Sequence, residues 1–159
     1  MLNQALLRPK RYCADMTTGA VEVRELEDAE LPEAFEVVRQ LRGHLSPEEF
    51  LRRVAAQRLC GYRAYGVRSE GRLVGFVGFR PVATLARGDH LHVDDLVVDR
   101  AFRGHGIGTA LLAHAEAWAE DRGLEAAFLD SRSDALGFYS ALAYEPHTAV
   151  LVRKRLRAT

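Results

Sequence analysis

Residues 96–112 contain the end of a strand, a glycine-rich turn and the start of a helix in immediate succession. The apolar run from Leu96 to Val98 is typical of a buried strand, and apolar residues from Ile107 onward recur at helical spacing. Between them, Arg103-Gly-His-Gly-Ile-Gly108 places three glycines in six residues. The segment restricts the chain to folds in which a strand leads into a helix through a tight turn.

This turn has the composition of an anion-binding site. Because Gly104, Gly106 and Gly108 have no side chains, backbone N–H groups are accessible at the positive end of the helix dipole. The loop contains no Ser, Thr, Asp or Asn that could cap the helix, and Arg103 adds a cation. We therefore predict that the loop binds a pyrophosphate or a similar anion. The alternative is a turn that serves only close helix packing.

The loop does not match two common phosphate-binding motifs. A P-loop requires Gly-Lys followed by Ser or Thr, and no lysine lies near this loop. The dinucleotide motif Gly-x-Gly-x-x-Gly requires a spacing that Gly104, Gly106 and Gly108 do not have. Nucleoside triphosphate hydrolysis and dinucleotide binding are therefore disfavoured.

The rest of the chain fits a single α/β domain. A length of 159 residues is typical of one domain, which we predict over residues 20–159, after an N-terminal extension over residues 1–19. Asp28 and Ser46 are the expected caps of the first two helices. We expect a mixed central sheet of about six or seven strands, flanked by about four helices. Periodicity predicts six strands, at residues 21–24, 62–68, 73–80, 91–98, 124–130 and 149–156. It predicts four helices, at residues 28–43, beginning at residue 47, at residues 107–119 and beginning at residue 133. Residues 83–90 are predicted to form a polar loop.

Composition and charge disfavour several classes of function. The chain has 22 basic and 22 acidic residues and a formal net charge of zero, which argues against a dedicated nucleic-acid binder. No apolar run is long enough for a membrane helix, and residues 1–11 do not resemble a signal peptide. We therefore expect a cytoplasmic protein without a membrane partner. The spacing of His and Cys matches no metal site, so no metal is expected.

Arg103, Gly106 and Gly108 form the pattern Arg-x-x-Gly-x-Gly. With this motif the sequence resembles the GCN5-related N-acetyltransferase (GNAT) superfamily, and the order of predicted elements over residues 21–156 is similar to that of the family. The resemblance implies a GNAT fold and acetyl-CoA as cosubstrate. It also implies an N-acetyltransferase that moves an acetyl group to a primary amine by direct attack in a ternary complex.

The resemblance further implies which residues bind the cosubstrate. In the family, the loop amides bind the pyrophosphate of acetyl-CoA, and the backbone of the preceding strand pairs with the pantetheine amides. The residues at these positions are Leu96, Val97, Val98, Arg103, Gly104, His105, Gly106, Ile107, Gly108 and Thr109.

A second matching segment extends from Gly137 to Tyr144. Within it, Tyr139 matches the tyrosine that lies near the CoA sulfur in many members and protonates the leaving thiolate. Ala143 stands where the family usually has glycine, so we expect the turn after this helix to differ. Many members place Asn before the helix, where Ser133 is available here. Ser133 either contacts the cosubstrate or caps the helix, and the cap is the favoured interpretation.

Three side chains before the loop are candidate bases. Acetyl transfer requires a neutral amine, so a group that takes the ammonium proton is expected. His92 and Asp94 share a face of a regular strand, whereas a bulge at Asp94 and Asp95 would change which carboxylate faces the cleft. Asp94 is the first candidate, His92 the second and Asp95 the third. The alternative for all three is a structural hydrogen bond.

Two other classes of function stay open at this stage. The domain could bind acyl-CoA for regulation or interaction without turnover, or the loop could bind another phosphorylated ligand. The acceptor is open as well, since a small amine, an amino acid, an antibiotic or a protein N-terminus fits the resemblance. The acids Glu48, Glu49 and Asp89 mildly favour a cationic small amine over an acidic one, although solvation of the surface explains them equally well. A homodimer is one expected assembly.

Overall fold

The central element of the fold is a five-stranded sheet. The structure, a computed structural model, describes residues 21–156, so the predicted extension over residues 1–19 lies outside the described residues. All neighbouring strands are antiparallel except β4 and β5, which are parallel, and this confirms the predicted mixed sheet. In spatial order the strands are β1 (Val23–Glu25), β2 (Arg63–Ser69), β3 (Arg72–Thr84), β4 (Gly88–Val98) and β5 (Ala127–Leu129).

Helices cover both faces of this sheet. They are α1 (Leu31–Val38), α2 (Pro47–Arg58), α3 (Ile107–Glu120) and α4 (Leu136–Ala141). One core cluster joins α1 and α2 to the sheet through Phe35, Phe50 and Phe76, and the other joins α3 to it through Val77 and Leu111. Because Phe76 and Val77 are neighbours in β3, the clusters lie on opposite faces, as in a single α/β domain. No helix within residues 21–156 is long and apolar enough to cross a membrane.

The sequence predicts the start of α2 better than the start of α1. Ser46 caps α2 through its side chain, as predicted. Asp28 is not a cap, because it begins a short 3-10 helix, and the N–H of the preceding Glu27 donates to the side chain of Glu30 (2.9 Å). The α-helix itself ends at Val38, before the predicted end at residue 43, because the chain continues there as turns.

Residues 83–90 form the tip of a long hairpin and not the predicted polar loop. β3 and β4 remain paired as far as Thr84 and Gly88, so only residues 85–87 form the turn. His90 is 2% exposed and packs edge-on against Phe128, with ring centroids 4.9 Å apart. Burial of the His90 ring and the backbone hydrogen bonds between β3 and β4 therefore determine the structure of this segment, despite its polar composition.

Residues 149–156 do not form the predicted sixth strand. They have no strand assignment and no ladder partner among residues 21–156. β5, the outermost strand at this side, is paired only with β4 in the same part of the chain. The alternating pattern alone does not make a strand, because a strand also requires hydrogen bonds to a partner, and residues 149–156 do not make them with the open edge of β5.

Replacing Gly78 with alanine is expected to destabilise the fold by about 3 kcal/mol. A Cβ at this position of β3 would lie 1.7 Å from the hydroxyl oxygen of Tyr62, which donates to Asp95 (3.1 Å). The substitution therefore combines overpacking with the loss of a hydrogen bond to a carboxylate. Urea unfolding measures the change. Gly137→Ala is the control: a Cβ there meets no atom within 4 Å, and alanine is expected to stabilise α4 by about 0.5–1 kcal/mol. A Gly78→Ala variant as stable as the wild type would contradict this packing.

Candidate active site

The glycine loop before α3 presents free backbone N–H groups. Gly104 and Gly106 have φ values of +78° and +75°, in the left-handed region that favours glycine. Gly106 is the N-cap residue of α3, and no side chain in the described part of the chain caps this helix. The first N–H groups of a helix have no partner within it, so those of α3 are available to a ligand. This confirms the predicted absence of an internal cap.

A buried carboxylate fixes the start of the loop. Asp99 follows β4 and is 6% exposed. Its side chain accepts a hydrogen bond from the N–H of Ala101 (3.0 Å) and pairs with Arg72, and its own N–H donates to the carbonyl of Val74 (2.8 Å). The bond from Ala101, with a further contribution from Arg72, lowers the pKa of Asp99. The loop is therefore held in a fixed position relative to the sheet.

A cleft of about 590 Å³ lies between this loop, the end of β4 and α4. Tyr139 also lines it. His105 does not, because its ring turns towards the carbonyl oxygen of Phe102 (3.2 Å between Nδ1 and O). The residues of the expected cosubstrate site that line the cleft are Leu96, Val97, Val98, Arg103, Gly104, Gly106, Ile107, Gly108 and Thr109.

The loop side of this cleft suits an anionic ligand. A Cβ built at Gly104 or Gly106 would meet no protein atom within 4 Å, so the backbone there borders open space. At Gly108, in contrast, a Cβ would lie 3.4 Å from the ring of Phe138, which shows close helix packing at that position. Arg103 folds back so that its Nε donates to the carbonyl of Val98 (3.2 Å), and this keeps the cation beside the loop. These residues fit the pyrophosphate of acetyl-CoA.

Ser133 does not cap α4, and it does not line the cleft. It is the first residue of a 3-10 helix, Ser133–Ala135, whose N-cap residue is Arg132 and which has no side-chain cap. The predicted cap is wrong because the chain enters α4 through this 3-10 turn, closed by a backbone bond from Ala135 to Arg132 (3.0 Å). Arg132 and Asp134 line the cleft instead.

A β-bulge at Asp94 separates two parts of β4. Asp95 pairs with Gly78 and Val93 pairs with Phe79, so Asp94 is the extra residue, in agreement with the bulge considered from the sequence. β5 pairs with β4 only at residues 91–93. Beyond the bulge, the edge of residues 96–98 that faces away from β3 has no strand partner within residues 21–156. That free edge borders the first cleft.

A second cleft, of about 650 Å³, lies between the bulge and α2. His92 and Asp94 both line it, and the distance from His92 Nε2 to Asp94 Oδ1 is 3.8 Å. The guanidinium of Arg80 donates to both oxygens of Asp94, through Nε (3.0 Å) and through Nη2 (3.3 Å). Burial raises the pKa of the Asp94 carboxyl above its ordinary value, although Arg80 acts in the opposite direction. The first two base candidates therefore lie together in one cleft.

Asp95 also lines this cleft, and like Asp94 it accepts hydrogen bonds at both oxygens. Arg42 Nε donates to one oxygen (2.8 Å), and the hydroxyl of the buried Tyr62 donates to the other (3.1 Å). Arg42 also donates through Nη2 to the carbonyl of Asp94 (2.9 Å). Asp95 therefore holds the bulge against the turn that follows α1 and against the residue before β2. Its place as the third candidate base stays a prediction.

Tyr139 stands at the α4 wall of the first cleft. Its ring packs edge-on against Phe138 (5.1 Å between centroids) and Tyr144 (5.8 Å). Burial raises the pKa of the Tyr139 phenol above its ordinary value, so the hydroxyl carries its proton at neutral pH. A protonated hydroxyl beside the cleft has the character of a proton donor.

Ala143 has a left-handed backbone conformation, which favours glycine. Its φ is +63°, and its N–H donates to the carbonyl of Ser140 (3.2 Å). Alanine in this region costs about 1–2 kcal/mol relative to a right-handed conformation. Alanine in place of the usual glycine is therefore accompanied by local backbone strain, and a difference of the turn from that of the family stays a prediction.

Several residues of both clefts were not predicted from the sequence. Most of them lie far along the chain from the motifs that predicted the site, so no local spacing marks them. The exception is Phe138, which precedes Tyr139 in the segment that resembles the family. In the first cleft they are Gln40, Leu41, Phe102, Arg132, Asp134, Ala135 and Phe138, and in the second they include Arg42, His44, Tyr62 and Asp130.

Comparison with known proteins finds relatives that are named as acetyltransferases. Glucosamine 6-phosphate N-acetyltransferase of Trypanosoma brucei brucei is 28% identical over 137 residues, which cover 80% of this chain and 90% of that protein. The uncharacterized N-acetyltransferase YhdJ of Bacillus subtilis is 30% identical over 115 residues, or 70% of this chain and 81% of that protein. The crystal structure of a Trypanosoma brucei acetyltransferase has a TM-score of 0.72 at 27% identity, and the match covers 85% of this chain and 99% of that one.

A family model described as the acetyltransferase (GNAT) family matches residues 21–144. The matched stretch contains the glycine loop, all of β4 and Tyr139. The motif, the fold and the named relatives therefore agree, and this chain belongs to the GNAT family as an N-acetyltransferase.

Proposed function

We propose that this enzyme transfers an acetyl group from acetyl-CoA to the primary amine of a small molecule, by direct attack in a ternary complex. The observation that carries the proposal is that β4 borders both clefts. Residues 92–95 line the second cleft, residues 96–98 line the first, and the bulge at Asp94 lies between them. Two molecules bound in these clefts would therefore meet at one strand.

The first cleft is proposed as the acetyl-CoA site. When bound, acetyl-CoA supplies an activated thioester. The free edge of residues 96–98 provides backbone groups that pair with the pantetheine amides and polarise the thioester carbonyl. The uncapped N–H groups after Gly106, together with Arg103, hold the pyrophosphate.

The side chains at the bulge and in α4 are proposed to move the protons. Asp94, with His92 beside it, accepts a proton from the attacking ammonium, so that the nitrogen forms its bond to the carbonyl carbon. Tyr139 donates its proton to the sulfur as the carbon–sulfur bond breaks, and the second proton that the nitrogen loses on becoming an amide restores the Tyr139 hydroxyl. No step in this sequence requires a metal ion.

The acceptor is proposed to carry an anionic group in addition to its amine. Arg52 and Arg53 of α2 both line the second cleft and share a single carboxylate, Glu49 (2.8 and 2.7 Å). At this end of the cleft two guanidinium groups share one carboxylate, so the local charge is positive and favours an anion, while Asp94, Asp95 and Asp130 line other parts of the cleft. The name of the Trypanosoma brucei brucei relative supports this choice, since glucosamine 6-phosphate is an amine of that kind.

The function is tested by following thiol release from acetyl-CoA with a panel of amines. The pair glucosamine and glucosamine 6-phosphate differs only in the anionic group, and a peptide with a free N-terminus represents protein acceptors. We expect release with small amines and a higher kcat/KM for the phosphorylated sugar. A folded enzyme that binds acetyl-CoA but releases no thiol with any acceptor would contradict turnover. Preference for the peptide would contradict the small-molecule acceptor.

Replacing Asp94 with asparagine is expected to lower kcat/KM about a hundredfold, as for the loss of a general base. A base acts when deprotonated, so the wild-type rate falls as the pH falls through the pKa of Asp94. Because burial raises that pKa, we expect the acid limb at a higher pH than for an ordinary aspartate, whose pKa is about 3.9. The measurement is a pH profile of wild type, Asp94→Asn and His92→Gln. If only His92→Gln removes the limb, His92 is the base and the assignment is wrong.

A further inference from the structure

Arg80 in β3 lies opposite the two base candidates of β4. It pairs in register with His92, and residues directly opposite each other in a ladder place their side chains on the same face of the sheet. That face is the one covered by α1 and α2, because Phe76, four residues earlier in β3, packs in their core cluster. The side chain of Arg80 is 34% exposed, so its guanidinium is partly removed from water.

The bulge places Asp94 against this guanidinium. Both carboxylate oxygens of Asp94 accept hydrogen bonds from Arg80, one from Nε (3.0 Å) and the other from Nη2 (3.3 Å). A two-point contact of this kind fixes the direction of the carboxylate as well as its charge. The Asp94 side chain is 17% exposed, so the two charges interact more strongly than those of a surface ion pair.

The pairing leaves the carboxylate able to accept a proton from a bound molecule. An ionised carboxylate has about four positions at which it accepts hydrogen bonds, and Arg80 takes two of those of Asp94. Asp94 lines the second cleft, whereas Arg80 lines neither cleft in the part of the chain that the structure describes. Arg80 therefore acts through Asp94 and not on a molecule bound in the clefts.

Other groups oppose the ionisation of Asp94. Burial raises its pKa, and hydrogen bonds from Arg80 are the largest effect in the opposite direction. The charge of Asp95 also raises the pKa of Asp94, but Asp95 has a cation of its own in Arg42 (2.8 Å). The titratable and charged side chains that line the same cleft as Asp94 are Arg42, His44, Arg52, Arg53, Tyr62, His92, Asp95 and Asp130.

We propose that Arg80 is a positioning residue for the acetyl transfer: its guanidinium keeps the Asp94 carboxylate ionised and directed into the second cleft, ready to accept the proton of the attacking ammonium. The inference rests on the proposed function, because it takes Asp94 as the base. The proton passes from the nitrogen to a carboxylate oxygen, and Arg80 keeps all of its own protons throughout. The reaction then depends on a residue that lies outside both clefts.

The test compares Arg80→Gln with the wild type in pH profiles of kcat/KM and in ¹³C NMR titrations of the Asp94 carboxyl, whose signal is identified by its loss in Asp94→Asn. Glutamine still donates a hydrogen bond but carries no charge, so the pKa of Asp94 rises. A base acts when deprotonated, so we expect the acid limb and the NMR titration to move together to higher pH, by at least about one pH unit. Below the shifted limb, each pH unit of movement lowers kcat/KM about tenfold. The KM for acetyl-CoA is expected to stay unchanged.

Two further variants separate charge from packing. Arg80→Lys keeps the cation but loses the fork that contacts both oxygens, so its acid limb is expected to stay near that of the wild type while kcat falls. Arg63→Gln is the matched control, because Arg63 lies in β2, pairs with Glu25 (2.9 Å) and lines neither cleft among residues 21–156. It is expected to move neither limb nor titration. An Arg80→Lys enzyme with the wild-type kcat, or with a limb as displaced as that of Arg80→Gln, overturns the proposal, and this holds even if Arg80→Gln does not fold.

The NMR titration distinguishes a failure of this inference from a failure of the proposed function. An Asp94 titration that Arg80→Gln does not move, in an enzyme that releases thiol, overturns the role of Arg80 and leaves the acetyl transfer intact. A titration that moves while the acid limb stays in place shows that Asp94 is not the base, and the role of Arg80 is then wrong as well. A wild-type enzyme that releases no thiol with any amine overturns both.

Discussion

Replacing Gly106 with alanine is expected to weaken acetyl-CoA binding about tenfold to a hundredfold. Gly106 lines the first cleft, and an added Cβ there would meet no protein atom within 4 Å, so the new methyl group occupies the ligand space. It displaces the pyrophosphate from at least one charge-assisted hydrogen bond, which is worth about 1.5–3 kcal/mol. A loss of that size corresponds to roughly one to two orders of magnitude in Kd. Calorimetric titration with acetyl-CoA measures it.

The matched control for this variant is Gly71→Ala. Gly71 lies in the β2–β3 turn, has a φ of +78° and likewise has no atom within 4 Å of a built Cβ. Both variants place alanine in the left-handed region, at a similar cost of about 1–2 kcal/mol in stability. Only Gly106→Ala is expected to change the affinity. Equal affinities for the two variants would show that the glycine loop is a structural turn and would remove the support for a pyrophosphate site.

The Tyr139→Phe variant is expected to lose about a hundredfold in kcat, with little change in the KM for acetyl-CoA. Removal of one hydroxyl leaves the ring packing in place but removes the proposed proton donor, and general acid catalysis contributes about 10²–10⁴-fold. An acid acts when protonated, so activity is lost as the pH rises through its pKa. Burial raises the pKa of Tyr139, which places this loss above the ordinary tyrosine value of about 10. Steady-state kinetics against pH measures both effects.

Tyr144→Phe separates a catalytic effect from a packing effect. Tyr144 packs against Tyr139, with ring centroids 5.8 Å apart, but its hydroxyl donates to Glu116 (2.8 Å) and it does not line the acetyl-CoA cleft. We expect this variant to lose about 1 kcal/mol in stability and to keep its kcat. If both variants reduce kcat equally, Tyr139 acts through packing and is not the proton donor.

The parts of the site that could be predicted from the sequence are those in which a local segment determines the geometry. The glycine loop is one case, since the spacing from Arg103 to Gly108 specifies a turn and an uncapped helix within a few residues. The bulge is a case in part, because the adjacent Asp94 and Asp95 suggested it only as an alternative to a regular strand, and the register with β3 then shows it. As in the glycine loop, a local segment fixes the start of α2, at Ser46 and Pro47.

The parts that could not be predicted depend on contacts between distant residues. Arg80 lies 14 positions from Asp94, and Arg42 lies 53 positions from Asp95, so neither ion pair leaves a pattern in the sequence. The predicted cap at Ser133 failed because the local preference for serine was outweighed by a backbone-closed 3-10 turn. The strand predicted at residues 149–156 is absent for a different reason, because this segment forms no backbone hydrogen bonds with the open edge of β5.

The bulge in β4 has a consequence for how such an enzyme diversifies. Because the strand is divided there, the residues that line the proposed acceptor cleft come mainly from α2 and the segment before it, whereas those that line the proposed acetyl-CoA cleft come mainly from the end of β4, the loop and the helices after it. Under the proposed function, substitutions at Arg52 and Arg53 change the choice of amine and leave the cosubstrate cleft intact. A new acceptor specificity then requires substitutions in only one short stretch of the gene.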